Sequence, residues 1–345
     1  MNDLADRLAR RIGEQGPISL ADYMAAASAH YYARRDPFGA RGDFVTAPEI
    51  SQMFGELIGL WCIETWRAMN APPRVVLAEL GPGRGTLMRD ALRAARLAPD
   101  FLAAAELHLV ETSAALREKQ RDVLAVHQPV WHERAEELPD GPLLLVANEF
   151  FDALPVQQYV RGENAWRERR VGIAHGQFAF ELGDPCAETM EAPPGAIREH
   201  SAEAAALAAW LGGRVARQGG AALIVDYGYT QGSGGDTVQA LKAHRRHDLL
   251  RDPGEADVTA HVDFAALAQE AAKAGARILG PVEQGMFLHR LGIAARAAKL
   301  MEASPGQAST IAAGLRRLTD PDAMGTLFKA LVIADPALPM LAGFA

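Results

Sequence analysis

A short apolar run, VVLAEL (75–80), leads directly into Gly81-Pro82-Gly83-Arg84-Gly85 and then into the helical stretch TLMRDALRAARL. This junction constrains the fold more than any other segment. A bare backbone between a strand and a helix start is suited to close approach by a ligand. It also opens an alternation. LHLVE (107–111) reads as a second strand, and Ser113 can cap the helix that follows. PVWH (129–132) is a weak third strand. PLLLVAN (142–148) carries apolar residues on both faces, as the centre of a parallel sheet requires, and GAALIVDY (220–227) is a fifth. Strands separated by helices predict right-handed crossovers and an α/β class. The expected architecture is a doubly wound, mostly parallel, seven-stranded Rossmann-like sheet. ARILG (276–280) and FKALVIAD (328–335) are expected to close it as an antiparallel hairpin.

Ahead of this rhythm the pattern is helical, near 3–14 and 19–34 and again over 49–69. In the last stretch Ile50, Met53, Phe54, Leu57, Ile58 and Trp61 recur at spacings of three and four. NAPP (70–73) breaks it. The expected plan is therefore a helical N-terminal lid over 1–70 and a main domain over 71–345. A β-rich insertion at about 157–200 is signalled by alternating residues with Gly-Glu-Asn and His-Gly turns. Residues 228–262 read as a Gly-rich connection with little periodicity. Among the 345 residues, 43 acids against 35 Lys and Arg give a net charge of −8, which argues against nucleic acid as a partner. No apolar run is long enough to span a membrane, and MNDLADRLARRIGEQG reads as an amphipathic helix rather than a signal peptide. Two distant cysteines, Cys62 and Cys186, fit a reducing cytoplasm. The surface of helix 49–69 leaves a homodimer open.

The glycine spacing, Gly81-x-Gly83-x-Gly85, is not that of a dinucleotide fingerprint, whose third glycine lies inside the helix. Glu79 stands two residues before the first glycine, where it would repel a pyrophosphate and attract a cationic amino-acid group. Glu111, at the end of the next strand, can accept both hydroxyls of a ribose. Glycines flanked by these two acids point to S-adenosylmethionine (SAM), with S-adenosylhomocysteine (SAH) as product. A tight turn without a ligand is the plainer alternative.

LAELGPGRGTL, VANEFFDALPVQQY and GDFVTAPEISQMFGELIGLW together resemble the MidA family, as do PGEADVTAHVDF (253–264) and VEQGMFLHRLGI (282–293). This family of SAM-dependent methyltransferases includes the mitochondrial complex I assembly-factor protein arginine methyltransferase. The resemblance implies a protein arginine acceptor, on a subunit of respiratory complex I or its bacterial equivalent. It also implies that the 42–49 segment closes over the cofactor. Thr46 and Glu49 would then lie near the cofactor's amino-acid end or the substrate, and Phe44 beside the substrate. Asn148, at the end of the fourth strand, joins the cofactor set. Glu149 and Asp152 follow that strand, where a substrate would meet the methyl group. They are the candidates to grip a guanidinium; the plainer role is capping the next turn or holding the cofactor for Glu149, and a helix cap for Asp152. Tyr227 lines the acceptor pocket or simply packs.

After the third strand, HERAEELP (132–139) places Arg134 where many SAM enzymes have an acid for adenine, so no adenine residue is assigned. Asp257, His261 and Asp263 offer metal-ligand types without a metal-binding face, and no metal is expected. HRRH (244–247) reads as a solvated loop. TQGSGGD follows no strand directly, which argues against a serine hydrolase. A small-molecule methyltransferase, a non-catalytic assembly factor and, less well supported, a nucleotide-dependent oxidoreductase stand as the rival readings.

Overall fold

The computed structural model describes residues 3–34, 45–186, 191–231 and 235–345. The chain divides into two compact units. One comprises 45–151, 206–230 and 264–345, and the other 1–44, 152–205 and 231–263.

The first unit is built on β1 (Val75–Leu80), β2 (Ala105–Val110), β3 (Val130–His132), β4 (Leu143–Asn148), β5 (Gly220–Tyr229), β6 (Arg277–Glu283) and β7 (Phe328–Ala334). Their order is β6-β7-β5-β4-β1-β2-β3. The five strands from β5 to β3 pair in parallel, while β7 runs antiparallel to both β5 and β6. This is the doubly wound Rossmann-like sheet with its closing hairpin. Every residue of β1 and β4 is buried, because helices cover both faces of a parallel sheet. The weak third strand is only three residues long, and its Val130 is half exposed.

The pairing fixes where chemistry can gather. Leu80 lies beside Val110 on one side and Ala147 on the other, and Asn148 lies beside Val225. Glu79, Glu111, Asn148, Glu149 and Asp226 therefore share the carboxyl edge of the sheet. Ligands of doubly wound folds bind at this edge.

The helical pattern over 49–69 is interrupted at Ser51, whose extended backbone (φ −160°, ψ 136°) separates a short helix, Ala47–Ile50, from α1 (Gln52–Ala68). The Ser51 hydroxyl accepts the Met53 N–H at 3.3 Å and so caps α1. Most of α1 is buried against α2 (Thr86–Ala94) and the sheet. At Gly59 a Cβ would lie 2.5 Å from the Ala91 carbonyl oxygen, so only glycine allows the two helices to approach this closely. The apolar surface that left a dimer open is thus largely consumed within the chain.

In the second unit, strands Ile18–Ser19, Gln157–Arg161, Trp166–Ala174, Gln177–Cys186 and Ile197–His200 form an antiparallel sheet. This is the β-rich insertion read from the alternating stretch. Leu4, Leu8 and Ile12 from helix Asp3–Gln15 form a core with Ile18, Leu20, Tyr23 and Val171. Within the stretch read as a connection lies a three-stranded antiparallel sheet of Gln239–Lys242, Arg245–His247 and Asp257–Thr259. Its strands have only three or four residues and carry Gln, Lys, Arg and His, so the sequence shows no apolar alternation. HRRH is accordingly the turn and returning strand of a hairpin, with Ala243 and His244 at φ 51° and 60°.

Candidate cofactor and acceptor site

The backbone leaves β1 and takes positive φ at Gly81 (+60°), Gly83 (+52°) and Gly85 (+77°). Gly81 donates its N–H to the Val110 carbonyl at 3.0 Å, which ties the loop to β2. A Cβ at Gly81 would stand 2.9 Å from the Phe150 ring, so both conformation and space demand glycine there. Gly85 donates to the Pro82 carbonyl and accepts from Arg89 N–H at 3.0 Å, which starts α2.

Residues from two other elements hold this loop in place. Glu49 accepts from the Thr86 hydroxyl at 2.5 Å and has the Arg84 guanidinium at 3.8 Å. Thr46 is buried, and its carbonyl accepts the N–H of Glu49 at 3.0 Å. The other element is α3 (Ala114–Leu124), started by Ser113, whose hydroxyl accepts the Leu116 N–H. From α3 the buried Gln120 donates to the Gly83 carbonyl at 2.8 Å.

The two acids at the strand ends are prepared differently. Glu79 is 3% exposed, and its Oε2 is buried without a hydrogen-bond partner among the described residues. Desolvation, then the charge of Glu111, pushes its carboxyl up to about 8. Desolvation and the Glu79 charge also push the buried Cys62 thiol of α1 up to about 12. Asn148 Oδ1 is a second buried acceptor without a partner among the described residues. Buried acceptors left unmade are costly, so two of them at one sheet edge fit a ligand that brings several N–H donors, as an ammonium does. Glu111 is buried as well, but Oε1 accepts the Ser113 N–H at 2.8 Å and Oε2 accepts from Gln120 at 3.1 Å. Its carboxyl is raised by desolvation, against which these hydrogen bonds act.

Glu149 takes φ +50°, unusual for a residue with a Cβ. Its N–H donates to the Val225 carbonyl, and its Oε1 accepts from Ala47 N–H at 2.8 Å and Asn148 Nδ2 at 3.1 Å. The turn behind it is fixed by Asp226, which is fully buried. Its Oδ2 accepts the N–H groups of Phe150 and Phe151 at 3.1 and 3.0 Å, and its Oδ1 that of Tyr227 at 2.9 Å. Tyr227 packs its ring on Phe328, with centroids 5.5 Å apart.

The sheet unit thus gathers Thr46, Glu49, Glu79, Gly81, Gly83, Gly85, Glu111, Asn148, Glu149 and Tyr227. Asp152 belongs to the second unit. There it is buried, its carbonyl accepts the Ala260 N–H, and its charge adds to that of Asp257 in raising the Tyr32 hydroxyl, which burial raises most. Tyr32 donates to Asp257 at 2.8 Å. Phe44 lies outside the described residues. Arg134 is exposed and pairs with Glu136 at 3.3 Å. Sequence reasoning missed Gln120, a lone amide in a mixed helix with no motif around it. It also missed Asp226, which stands beside Tyr227 at the end of β5.

A Rossmann-like sheet with a glycine loop and acids at the ends of its first two strands defines a nucleoside-binding class. Residues 57–282 match a family model described as "Putative S-adenosyl-L-methionine-dependent methyltransferase". A Drosophila melanogaster protein named "Protein arginine methyltransferase NDUFAF7 homolog, mitochondrial" is 39% identical over 372 residues, covering 96% of this chain and 84% of that one. The Homo sapiens protein named "Protein arginine methyltransferase NDUFAF7, mitochondrial" is 36% identical, covering 92% and 80%. A Burkholderia thailandensis protein crystallised with S-adenosyl-homocysteine superposes with a TM-score of 0.87 at 27% identity, over 99% of this chain and 93% of that one. The chain belongs to this SAM-dependent methyltransferase family, and SAM is its cofactor. The cytoplasmic expectation is corrected by the same comparison, because the relatives are named mitochondrial. Two unpaired cysteines speak to redox state, which several reducing compartments share. Among the described residues no helix is long and apolar enough to cross a membrane.

Proposed function

We propose that this methyltransferase modifies an arginine side chain of a protein, a subunit of respiratory complex I or its bacterial equivalent. The names of relatives at 36–39% identity, protein arginine methyltransferases, carry the arginine reading. The carboxylate of Glu149, oriented by Ala47 N–H and Asn148 at the sheet's carboxyl edge, supplies its chemistry.

On this reading Glu79 and Asn148 accept from the cofactor's ammonium, and Gly81, Gly83 and Gly85 let the backbone approach it. Glu111 accepts the ribose hydroxyls, and Thr46 borders the amino-acid end. The buried Oε2 of Glu79 and Oδ1 of Asn148, neither with a hydrogen-bond partner among the described residues, fit that group. SAM would supply a methyl on a sulfonium, whose C–S electrons leave with the neutral thioether of SAH without acid assistance. The arginine nitrogen that takes the methyl gives up one proton, for which the Glu149 carboxylate is the acceptor on this reading. The protein's task is to align and prepare the acceptor. A guanidinium stays protonated and delocalised at neutral pH. A carboxylate that pairs with it draws positive charge away from the reacting nitrogen and fixes its direction. Glu149 has this role, with Glu49 and Tyr227 on the substrate side.

Tandem mass spectrometry of complex I subunits from cells with and without the chain is the test. Arginine methylation should disappear without the chain and in Glu149→Gln, while Glu149→Gln still binds SAH. Unchanged methylation in Glu149→Gln would remove that residue from the reaction. The domain plan, a cap over 1–70 before a methyltransferase domain, is also proposed. Limited proteolysis cutting first at 70–73 supports it, whereas cuts near 45 or 152 replace it. A homodimer is retained as a proposal, which a monomer in sedimentation would overturn.

A further inference from the structure

We propose that Gln120 is a positioning residue that sets the spacing between the glycine loop and Glu111, and through it the affinity for the cofactor. The inference rests on the reading of Glu111 as the ribose acceptor. One amide group serves three partners. Its nitrogen donates to the Gly83 carbonyl at 2.8 Å and to Glu111 Oε2 at 3.1 Å, and its oxygen accepts from Trp131 Nε1 at 2.8 Å. Both amide protons and the amide oxygen are therefore engaged.

Gln120 is fully buried, and a Cβ on Gly85 would lie 3.7 Å from its Cα and Cγ, so its stem abuts the loop it bonds. Trp131 comes from β3 and lies under the Arg121 guanidinium at 5.0 Å, which holds the indole on its outer side. The indole in turn fixes which way round the amide sits, with oxygen towards Trp131 and nitrogen towards the loop and the acid.

The consequence concerns two parts of one ligand. The glycine loop and Glu111 follow different strands and would hold different portions of the same molecule. A ligand of fixed length binds well only if these two contacts stand at the right separation. The Glu111 carboxylate is held on one oxygen by the Ser113 N–H and on the other by Gln120. Removing the amide frees one side of the acid and unties Gly83 in the same step.

Calorimetric titration of SAH into the full chain tests this with Gln120→Met, Glu111→Ala and the double variant. Gln120→Met is expected to weaken SAH about 10- to 100-fold, the size of a lost buried hydrogen-bond set. In the Glu111→Ala background the same substitution should cost clearly less than in the parent, because the share that acts through Glu111 is already lost and only the untying of Gly83 remains. Losses that multiply would overturn the proposal. So would a Gln120→Met chain that binds like the parent while Glu111→Ala is weak, an outcome that leaves the reading of Glu111 standing. A Glu111→Ala chain that binds like the parent removes that reading and this proposal together. Gln120→Glu guards against misfolding, since it keeps the shape and the acceptor for Trp131 but turns a carboxylate towards Glu111. Its SAH affinity relative to the parent should recover as pH falls and the two acids share a proton. A ratio that does not change with pH contradicts the proposal.

Discussion

Glu79 and Glu111 end neighbouring parallel strands, carry the same functional group and are buried to a similar degree. Their surroundings differ. Glu111 has both oxygens engaged by Ser113 and Gln120, and Arg117 donates to its carbonyl. Glu79 keeps one oxygen without a partner among the described residues, and its carboxyl is pushed up to about 8. The structure therefore prepares one acid in a fixed direction and leaves the other unsatisfied. On the proposed reading the difference follows the ligand. Ribose hydroxyls are directional and need an aligned acceptor, whereas an ammonium brings its own charge and can complete a carboxyl the fold left short. The unsatisfied acid has a cost. Its folded carboxyl is raised above its unfolded value, so the stabilising difference present below about pH 4.5 is lost as pH rises towards 8. At pH 7 that loss is roughly 3 kcal/mol.

The contrast can be broken from both sides at once. Gly81→Val puts branched carbons where a single Cβ already meets the Phe150 ring at 2.9 Å, and at positive φ. SAH binding should fall by more than about 100-fold in calorimetry, with a lower Tm. Glu111→Ala comes next, with a loss of about 30- to 100-fold and a lower Tm, because Ser113 N–H and Gln120 lose their acceptor.

Glu79→Gln sharpens the contrast, since it should weaken SAH about tenfold yet raise the Tm of the ligand-free chain by roughly 3–5 °C. A lower Tm in scanning calorimetry would show that the acid is not strained. The pH dependence acts through the same acid. Glu79 is mostly protonated below pH 8 and must ionise to accept from an ammonium, so SAH affinity should rise by up to about tenfold per unit from pH 6 to pH 8. In Glu79→Gln that slope should vanish. The smallest effect concerns Cys62, whose buried thiol, pushed up to about 12, should resist alkylation in the native chain until it unfolds.

Much of this site was legible in the sequence because its parts are local. An apolar run, an acid, three glycines and a helix start occupy fourteen consecutive residues, and strand pairing brings Glu111 alongside Glu79 without a long detour. What stayed hidden depends on tertiary contacts. In AALREKQRDVL, Gln120 looks like part of a solvated face, and only Trp131 and the glycine loop make it a buried junction. The break at Ser51 was masked because apolar spacing continues across it, although the backbone there is extended. Asp152 lies three residues from Glu149 in sequence, yet the boundary between the two compact units passes between Phe151 and Asp152. The three short strands within 239–259 lack the length and alternation by which strands are recognised.

Calorimetric titration of the parent chain with SAH, and with NADH in parallel, tests most directly whether the unsatisfied acid and the glycine loop exist for this cofactor. SAH should bind with release of a proton near pH 7, NADH should not bind, and Glu79→Gln should abolish the proton release. Binding of NADH, or SAH binding that is indifferent to Glu79, would contradict it.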